Sequence, residues 1–306
     1  MTSNGLERGI RKNGFKGAIR RGIPMSEITS FRIGGPADLV LYPRDLEELN
    51  IVRALCRDQG FSYLLLGNGT NLLVADKGVR EPLINLSHGF KEIKKQGHKV
   101  MAGAGAGLPQ LLNFCTANAL GGLEPLAGIP GTVGGGIRMN AGSWGAEIGA
   151  MISSLLVMDG AGETRWVKRS QVAFGYRGID LPAEDIILQG EFALHKGKRD
   201  EIKNRMEEFL RKKKETQPLF QPSAGSIFKN PPAIPAGRLI EEAGLKGTRR
   251  GDAMISPLHA NFIVNMGAAR ARDVLGLIEL IRQRIYKEKR IKLELEVLII
   301  GEQALA

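Results

Sequence analysis

The amino-acid sequence predicts an α+β protein with two domains. The chain has 306 residues, and a typical domain has about 150. Apolar runs typical of strands alternate with helical patterns in the first two thirds, and a short basic break at 196–199 precedes a stretch of different composition. We therefore predict an N-terminal segment at 1–30, a first domain at 31–197 and a second domain at 198–306.

The first domain begins with a strand–helix–strand unit. An apolar run over 37–41 is followed by Asp45, which can cap a helix, and Glu48 stands three residues later, as in a capping box. A second strand over 61–66 leads into a glycine turn at 67–73. The end of a strand is a usual ligand site in α/β proteins. The turn lacks the third glycine of GxGxxG, which disfavours a classical Rossmann domain.

The remaining elements follow from the same apolar periodicities. In the first domain the pattern predicts a strand and turn at 100–107, a helix at 108–119 and strands at 152–158, 164–167 and 186–194. In the second domain it predicts helices at 201–216, 238–243 and 273–287 and strands at 262–265 and 291–300.

The composition excludes several classes of protein. With 43% hydrophobic and 25% charged residues the chain reads as an ordinary globular protein, and no apolar run approaches the roughly 18 residues of a membrane span. The basic N-terminus lacks the apolar stretch of a secretory signal. Cys56 and Cys115 stand in apolar stretches, as buried thiols would, which fits the cytoplasm. Four scattered histidines predict no metal site.

The net charge of +11 favours phosphorylated small ligands over nucleic acid. Only 6% of the residues are aromatic, and no basic stretch is interleaved with aromatic residues for base stacking. We therefore expect no nucleic-acid partner and no membrane insertion.

A glycine-rich segment at 121–145 is the most informative feature. Glycine inside a helix or strand costs about 0.5–1 kcal/mol relative to alanine, so it is retained where φ must be positive or where a ligand lies against bare amides. Exposed N–H groups in such loops bind anions, which favours a cofactor with a diphosphate. Tight turns between strands explain the segment equally well. Asn140 and Thr70 could contact a ligand, although polar turn residues usually close their own loops.

Three side chains are candidates for the chemistry, and each also has a structural explanation. Glu296 stands where an alternating strand becomes apolar on both faces, so burial would suit it for proton transfer; the pattern alone favours a solvent-facing glutamate. Ser226 follows two small residues that let a ligand approach, or it closes a turn. Arg177 follows Tyr176 and can recognise a carboxylate or phosphate, or it stacks on that ring at the surface.

Taken together, these pieces resemble the UDP-N-acetylenolpyruvoylglucosamine reductases, the MurB family of bacterial peptidoglycan synthesis. The matching segments occur in the family's order and span nearly the whole chain. They are 29–37 (TSFRIGGPA), 67–73 (GNGTNLL), 121–145, 176–177 (YR), 223–231 (SAGSIFKNP), 241–247 (EEAGLKG), 259–265 (HANFIVN) and 293–297 (LELEV).

The resemblance implies a fold and a reaction. The fold is a two-lobed FAD-binding region of the vanillyl-alcohol-oxidase (PCMH) type, followed by a C-terminal α/β substrate-binding domain. In the reaction NADPH reduces FAD, a hydride passes to C3 of the enolpyruvyl group of UDP-N-acetylglucosamine enolpyruvate, and a proton is added at C2. The expected cofactor is FAD, the expected co-substrate is NADPH, and we expect a cytoplasmic monomer.

The resemblance also assigns residues. Ser226 resembles the proton donor to C2, and Arg177 and Glu296 resemble the pair that activates the substrate carboxylate and stabilises the intermediate. Asn230 resembles a substrate contact. The expected FAD contacts are Gly67, Asn68, Gly69, Thr70, Asn71, Leu72, Gly131, Thr132, Gly135, Asn140, Ala141 and Gly142.

The sequence departs from the family pattern at two places. A serine often follows the arginine in a YRxS pattern, whereas Gly178 and Ile179 follow Arg177 in this chain. The local support of the arginine is therefore left open. The chain also lacks a tyrosine-bearing insertion before Ser226, which places it with a shorter branch of the family.

Two other functions compete with this reductase. Another FAD oxidoreductase on the same scaffold would oxidise a small alcohol or hydroxy acid and would give Ser226 no role. A non-catalytic nucleotide-binding protein would have a decayed site, which the joint retention of Arg177, Ser226 and Glu296 disfavours.

Overall fold

A computed structural model describes residues 3–301 of the chain. Its α-helices are α1 (Ser3–Lys12), α2 (Leu46–Asp58), α3 (Leu108–Ala117), α4 (Val133–Arg138), α5 (Arg199–Thr216), α6 (Ala236–Glu242) and α7 (Ala271–Lys289). Its strands are β1 (Ala18–Pro24), β2 (Pro36–Tyr42), β3 (Leu64–Leu66), β4 (Leu72–Val74), β5 (Leu83–Asn85), β6 (Ile93–Gln96), β7 (Lys99–Gly103), β8 (Leu120–Gly121), β9 (Gly142–Ser143), β10 (Ala146–Glu147), β11 (Ile152–Met158), β12 (Thr164–Lys168), β13 (Phe174–Gly175), β14 (Gly178–Ile179), β15 (Ile186–Ala193), β16 (His195–Lys196), β17 (Ser223–Ser226), β18 (Arg249–Arg250), β19 (Ala253–Ile255), β20 (Phe262–Asn265) and β21 (Leu298–Ile300).

The chain divides into two units, each built from three segments. The first unit takes its described residues from Met1–Ile19, Val40–Gly67 and Leu83–Lys212. The second takes them from Arg20–Leu39, Asn68–Pro82 and Lys213–Ala306. The domain boundaries predicted after residues 30 and 197 stay a prediction.

The first unit contains an antiparallel sheet of five strands in the order β12-β11-β15-β7-β6. Strand β11 has the bounds that the sequence pattern predicts, and its Leu155 and Val157 are fully buried in the core. Helix α4 packs on β15 at Gly190, where an added Cβ would lie 2.8 Å from Ile137 Cδ1. This close approach brings the middle of the glycine-rich segment onto the sheet.

A second sheet has the order β1-β2-β5-β3, in which β5 pairs in parallel with both β2 and β3. The helix predicted after Asp45 is confirmed, since the Asp45 side chain accepts the N–H of Glu48 at 2.9 Å and α2 begins at the next residue after Asp45. Parallel strands joined by a helix direct the end of β3, and with it Gly67, to one edge of the sheet.

The second unit has a four-stranded antiparallel sheet in the order β17-β20-β19-β18. Helices α6 and α7 contribute to its apolar core. The amphipathic pattern of α7 predicts its buried face, and the structure confirms it. The buried residues of that face include Val274, Leu277, Ile278, Ile281 and Ile285.

The prediction of one continuous strand over 291–300 is wrong. Only Leu298–Ile300 form a strand, which pairs in parallel with β4. Upstream of it, Leu295 makes an isolated bridge to Phe228, and the N–H of Glu296 donates to the carbonyl of Ile227 at 2.9 Å. The segment changes its partner between residues 297 and 298, and this exchange interrupts the regular ladder that alternation alone predicts.

Both cysteines are buried free thiols, as the apolar stretches around them predict. Burial raises the pKa of Cys56 to about 11 and that of Cys115 to about 12, the latter helped by the charge of Glu124. Within residues 3–301, no helix combines the length and the apolar character that crossing a bilayer requires.

Glu48 joins three parts of the first unit through a carboxylate that is 3% exposed. It accepts the N–H of Lys16 at 3.0 Å, the N–H of Arg44 at 2.9 Å and the guanidinium of Arg44 at 2.8 Å. Burial raises the pKa of Glu48, but these hydrogen bonds outweigh burial and bring it below its ordinary value. The ionised form therefore stabilises the fold above that ordinary value, and its contribution is lost as the pH falls through the lowered pKa.

We expect Glu48→Gln to lower the free energy of unfolding by about 1–3 kcal/mol at neutral pH, because three hydrogen bonds lose their charged acceptor. The exposed Glu47→Gln, next to it on α2, is the matched control and changes stability by less than about 0.5 kcal/mol. Chemical denaturation measured from neutral pH to below pH 4.5, the ordinary glutamate value, checks both. A difference between Glu48→Gln and wild type that grows toward low pH would contradict the assignment.

Candidate active site

The glycine turn after β3 presents a row of backbone donors. Its carbonyls are used, since Gly67 O accepts from Asn85 Nδ2 at 3.0 Å and Gly69 O accepts from the N–H of Ser30 at 3.2 Å. In the part of the chain that the structure describes, the N–H groups of Asn68, Gly69 and Thr70 meet no protein acceptor. Gly69 has φ of 61°, and an added Cβ would lie 2.8 Å from the Ile28 carbonyl oxygen. Successive donors of this kind bind anions.

The glycine-rich segment forms a helix at its centre, which its composition does not predict. Thr132 caps α4 by accepting the N–H of Gly135 at 3.2 Å. The N–H groups of Val133 and Gly134 donate to carbonyls of the preceding turn at 106 and 104, both at 2.8 Å. Protein acceptors therefore already bind the N–H groups at the start of α4. The backbone amides expected to bind a diphosphate in this segment are not those of the helix N-terminus.

The glycines of α4 differ in what surrounds them. A Cβ added at Gly134 would lie 2.7 Å from the Cβ of Ala104, so that glycine permits packing. A Cβ added at Gly135 would meet only Thr132 Oγ1, at 3.3 Å, and Gly135 is exposed. Gly67 lies against the same threonine, since its added Cβ would be 2.9 Å from Thr132 Oγ1. Within the first unit, Gly67 and α4 therefore meet at Thr132, and Gly135 leaves room beside it.

Asn140 is fully buried and has φ of 42°. Its amide is used by protein, because Nδ2 donates to Glu147 Oε2 at 2.7 Å and to Gly175 O at 2.8 Å, while Oδ1 accepts the N–H of Gly149 at 3.1 Å. The next residue, Ala141, donates its N–H to the carbonyl of residue 136 at 2.7 Å. The contacts of Asn140, Ala141 and Gly142 with FAD stay a prediction.

Arg177 lies in a two-residue loop of the first unit, between β13 and β14. The strands pair Phe174 with Ile179 and Gly175 with Gly178. Arg177 has φ of 59°, and its guanidinium carbon lies 5.0 Å from the ring centroid of Tyr176. The loop thus holds the arginine beside an aromatic ring. This position is compatible with both explanations of Arg177, ligand recognition and stacking at the surface.

Ser226 ends β17 in the second unit, directly after a bulge. Ser223 pairs with Val264 and Ser226 with Phe262, so two residues of β17 oppose one of β20. Gly225 has φ of 75° within this bulge. A bulge re-aims the side chain that follows it, and such bulges are common beside active sites.

Asn261 fixes the chain just after Ser226, and the sequence analysis assigns it no role. Its side chain donates to Phe228 O at 2.8 Å and accepts the N–H of Phe228 at 3.0 Å. Burial lowers the pKa of His259, whose Nδ1 accepts the N–H of Asn261 at 3.2 Å. Both residues stand in the HANFIVN motif, which was the only sequence signal of this role.

Glu296 and Ser226 lie on adjoining segments of the second unit. The N–H of Glu296 donates to the carbonyl of Ile227, the residue after Ser226. Asn71 Nδ2 donates to the Glu296 carbonyl at 3.0 Å, so the glycine turn anchors the same segment. Residue 296 is half-buried and lies outside β21, so the strand that both explanations of Glu296 assume is absent at this residue, and its role stays a prediction.

Asn230 is exposed, and its Oδ1 accepts the N–H of Ala236 at 3.0 Å at the start of α6. Its contact with substrate stays a prediction. The remaining expected FAD contacts, Leu72 and Gly131, begin β4 and precede the cap of α4 respectively. Among residues 3–301, no three His, Cys, Asp or Glu side chains converge as metal ligands would.

Two protein-family models match the chain. The model of an FAD binding domain matches residues 37–168. The model of the C-terminal domain of UDP-N-acetylenolpyruvoylglucosamine reductase matches residues 217–300. These matches and the structural likenesses below confirm the predicted fold class.

Curated relatives and solved structures agree with these matches. The chain is 44% identical over 296 residues to the UDP-N-acetylenolpyruvoylglucosamine reductase of Syntrophus aciditrophicus, with 95% of each chain covered. It is 40% identical to that of Clostridium novyi, with 94% of each covered. The crystal structure of the reductase (MurB) from Thermus caldophilus has a TM-score of 0.81 at 39% identity, over 93% of this chain and 100% of that chain. A variant of berberine bridge enzyme shares the fold alone, with a TM-score of 0.50 at 13% identity over 63% of this chain and 44% of its own. The chain belongs to the UDP-N-acetylenolpyruvoylglucosamine reductase family.

Proposed function

We propose that this protein reduces UDP-N-acetylglucosamine enolpyruvate to UDP-N-acetylmuramate, with FAD as cofactor and NADPH as reductant, in the synthesis of peptidoglycan precursors. The observation that carries the proposal is the adjacency of Ser226 and Glu296 in a chain of this family. The hydrogen bond from the Glu296 N–H to Ile227 O gives that adjacency.

The residues of the two glycine segments fit a flavin dinucleotide. The N–H groups of Asn68, Gly69 and Thr70 are a donor set suited to a diphosphate, and Gly135 leaves its surface open to a ligand. When bound, FAD supplies the hydride chemistry, in which NADPH is oxidised and C3 of the enolpyruvyl group is reduced. The turn and α4 contribute binding and orientation to that chemistry.

We assign the protonation of C2 to Ser226. Addition of a hydride at C3 leaves negative charge on C2 and on the neighbouring carboxylate of the substrate. A serine hydroxyl is a weak acid in water, but it can donate to so basic a carbon when it is held within hydrogen-bond reach. The bulge and Asn261 hold the backbone on both sides of Ser226. The hydroxyl regains its proton from solvent after the transfer.

We assign recognition of the substrate carboxylate to Arg177 and stabilisation of the negatively charged intermediate to Arg177 together with Glu296, which takes part as a carboxylic acid that donates a hydrogen bond. A guanidinium matches a carboxylate in a bidentate manner. Stacking on Tyr176 restricts the motion of the arginine before substrate arrives. Donors that are already oriented need no rearrangement as charge develops, which is the main source of electrostatic catalysis.

We also propose that the protein acts as a monomer in the cytoplasm on small-molecule partners alone, without nucleic acid. The two buried free thiols support the cytoplasmic location. The absence of base-stacking motifs in the sequence supports the exclusion of nucleic acid. Size-exclusion chromatography with light scattering tests the oligomeric state, and a dimer at micromolar concentration would contradict that part of the proposal.

Flavin spectroscopy tests the function as a whole. The purified protein should be yellow, NADPH should bleach the flavin under anaerobic conditions, and the enolpyruvyl UDP-sugar should restore the colour. A flavin that is restored by small alcohols or hydroxy acids in their oxidised form, and not by the UDP-sugar, would favour the competing oxidoreductase. A protein that cannot be reconstituted with FAD would contradict both.

We expect Ser226→Ala to separate the two half-reactions. Flavin reduction by NADPH should stay within about twofold of wild type, while re-oxidation by the enolpyruvyl substrate should slow by about 10²–10⁴-fold, the usual contribution of a positioned acid. Stopped-flow absorbance of the flavin measures each step.

Ser223→Ala is the control on the same strand, because the hydrogen bond that Ser223 accepts from Ser30, at 2.7 Å, uses its backbone carbonyl. It should leave both rates near those of wild type. Slow reduction by NADPH in Ser226→Ala, or normal re-oxidation, would refute the assignment of Ser226.

We expect Gly135→Ala to weaken FAD binding by about tenfold, or ~1.4 kcal/mol, because the new methyl group occupies the surface beside Thr132. The melting temperature of the apoprotein should stay the same or rise, since alanine favours a helix over glycine. Gly134→Ala should instead lower the melting temperature through its contact with Ala104.

Titration of the apoprotein with FAD and thermal melting without it measure the two effects. Wild-type FAD affinity in Gly135→Ala would contradict the placement of the cofactor at α4.

A further inference from the structure

We propose that Asn140 is the positioning residue for Arg177, so that one buried amide sets the loop that carries the substrate-binding arginine. The inference rests on the proposed function, which gives Arg177 its role. It also answers what supports the arginine in a chain without the serine of the YRxS pattern.

The hydrogen bonds of Asn140 point to the Arg177 loop. Nδ2 donates at 2.8 Å to the carbonyl of Gly175, the last residue before the Tyr176–Arg177 loop. Nδ2 also donates to Glu147 at 2.7 Å, and Oδ1 accepts from Gly149 at 3.1 Å. Both ends of the amide are engaged by protein, and the residue is 0% exposed. The side chain therefore connects residue 140 to residues 147–149 and to residue 175 by hydrogen bonds.

The loop depends on outside support, because its own ladder is short. Strands β13 and β14 pair only at Phe174 with Ile179 and at Gly175 with Gly178, and an isolated two-stranded hairpin is marginally stable in water. Arg177 itself has φ of 59°, a conformation that costs a residue with a side chain about 1 kcal/mol or more. Asn140 supplies this support through its hydrogen bond to the Gly175 carbonyl.

A second contact fixes the same hairpin to the same place. The guanidinium of Arg169 lies 4.8 Å from the ring centroid of Phe174, and its Nε donates to Gly149 O at 3.0 Å. A Cβ added at Gly149 would lie 2.4 Å from the Phe174 ring. Asn140 thus accepts the N–H of Gly149, and Arg169 donates to its carbonyl. Each of the two also contacts one residue of β13, Asn140 at Gly175 and Arg169 at Phe174.

The backbone of Asn140 indicates that the position is specified. Its φ of 42° lies in the left-handed region, which asparagine adopts more readily than other residues with a side chain. A buried residue keeps such a conformation when its surroundings determine it, and residues of this kind concentrate at functional sites. An asparagine satisfies both the backbone conformation and the three hydrogen bonds.

Loss of the Asn140 hydrogen bond should affect catalysis because Gly175 is close to Arg177 along the chain. Arg177 is two residues from Gly175, so loss of the Asn140 bond releases the hairpin and the guanidinium with it. A displacement of about 1 Å in a positioned group can cost about 10²-fold in rate. The effect should fall on the step that uses the substrate carboxylate and leave flavin reduction by NADPH unchanged.

The test uses the FAD-loaded full chain with Asn140→Ala, Arg177→Ala and the double variant. Hydrogen exchange at residues 174–179, followed by mass spectrometry, should rise about tenfold in Asn140→Ala, because the hairpin opens locally. At saturating FAD, re-oxidation by the enolpyruvyl substrate should slow by about 10²-fold. In the Arg177→Ala background, Asn140→Ala should add less than about twofold, as expected for residues that act as a unit.

Glu48→Gln is the control for a general loss of stability. It should leave exchange at 174–179 and the re-oxidation rate near those of wild type. Where Asn140→Ala does not fold, Asn140→Gly removes the same amide and suits the left-handed backbone at this residue, and the same results are expected.

Additive effects in the double variant, or unchanged exchange at 174–179 in Asn140→Ala, would each overturn the inference. An Arg177→Ala variant that re-oxidises at the wild-type rate would instead overturn the role of Arg177 in the proposed function. The exchange measurement needs no turnover and still reports whether Asn140 holds the hairpin, so the two failures are distinguishable.

Discussion

The chemistry assigned to the second unit depends on one backbone pairing, that of residues 226–228 with 294–297. The N–H of Glu296 meets Ile227 O, and Leu295 bridges Phe228. Because the pairing joins a β-bulge to an irregular segment, neither side is held by a long ladder, and nearby groups supply the missing bonds. Asn261 pairs with the backbone of Phe228 on one side, and Asn71 donates to the Glu296 carbonyl on the other. The backbone is thereby held next to both Ser226 and Glu296.

In both units a buried asparagine fixes the backbone near a candidate site residue. A reactive side chain on a loop needs a fixed backbone, and loops leave backbone groups that a buried environment must satisfy. In each unit a buried asparagine amide does so, Asn261 beside Ser226 and Asn140 beside Arg177. An amide suits this work because it offers a donor and an acceptor in one plane, as a peptide group does. The glycine-rich segment carries one of these asparagines, so it has a structural role apart from its predicted cofactor contacts.

Much of the fold could be read from the sequence, because it follows from periodicities that are local. The cap at Asp45, the bounds of β11 and β20 and the buried face of α7 are of this kind. Two elements could not be read this way. Helix α4 contains three glycines in a row and is held by carbonyls of the turn before α3, and the strand expected over 291–300 changes partner between residues 297 and 298. Both depend on contacts distant in sequence. For the site, the motifs predict Ser226, Arg177 and Glu296, whereas the contacts of Asn261 and Asn140 appear only in the hydrogen bonds of the structure.

Turnover in deuterium oxide, with the product characterised by mass spectrometry and nuclear magnetic resonance, measures whether a positioned group of this protein protonates C2 of the enolpyruvyl substrate. We expect the substrate to gain two hydrogen atoms and C2 to carry solvent deuterium in a single configuration. A product with mixed configuration at C2 would mean that bulk water protonates the intermediate, and an unchanged substrate would mean that the protein does not catalyse this reduction. Either result would rule out protonation of C2 by Ser226.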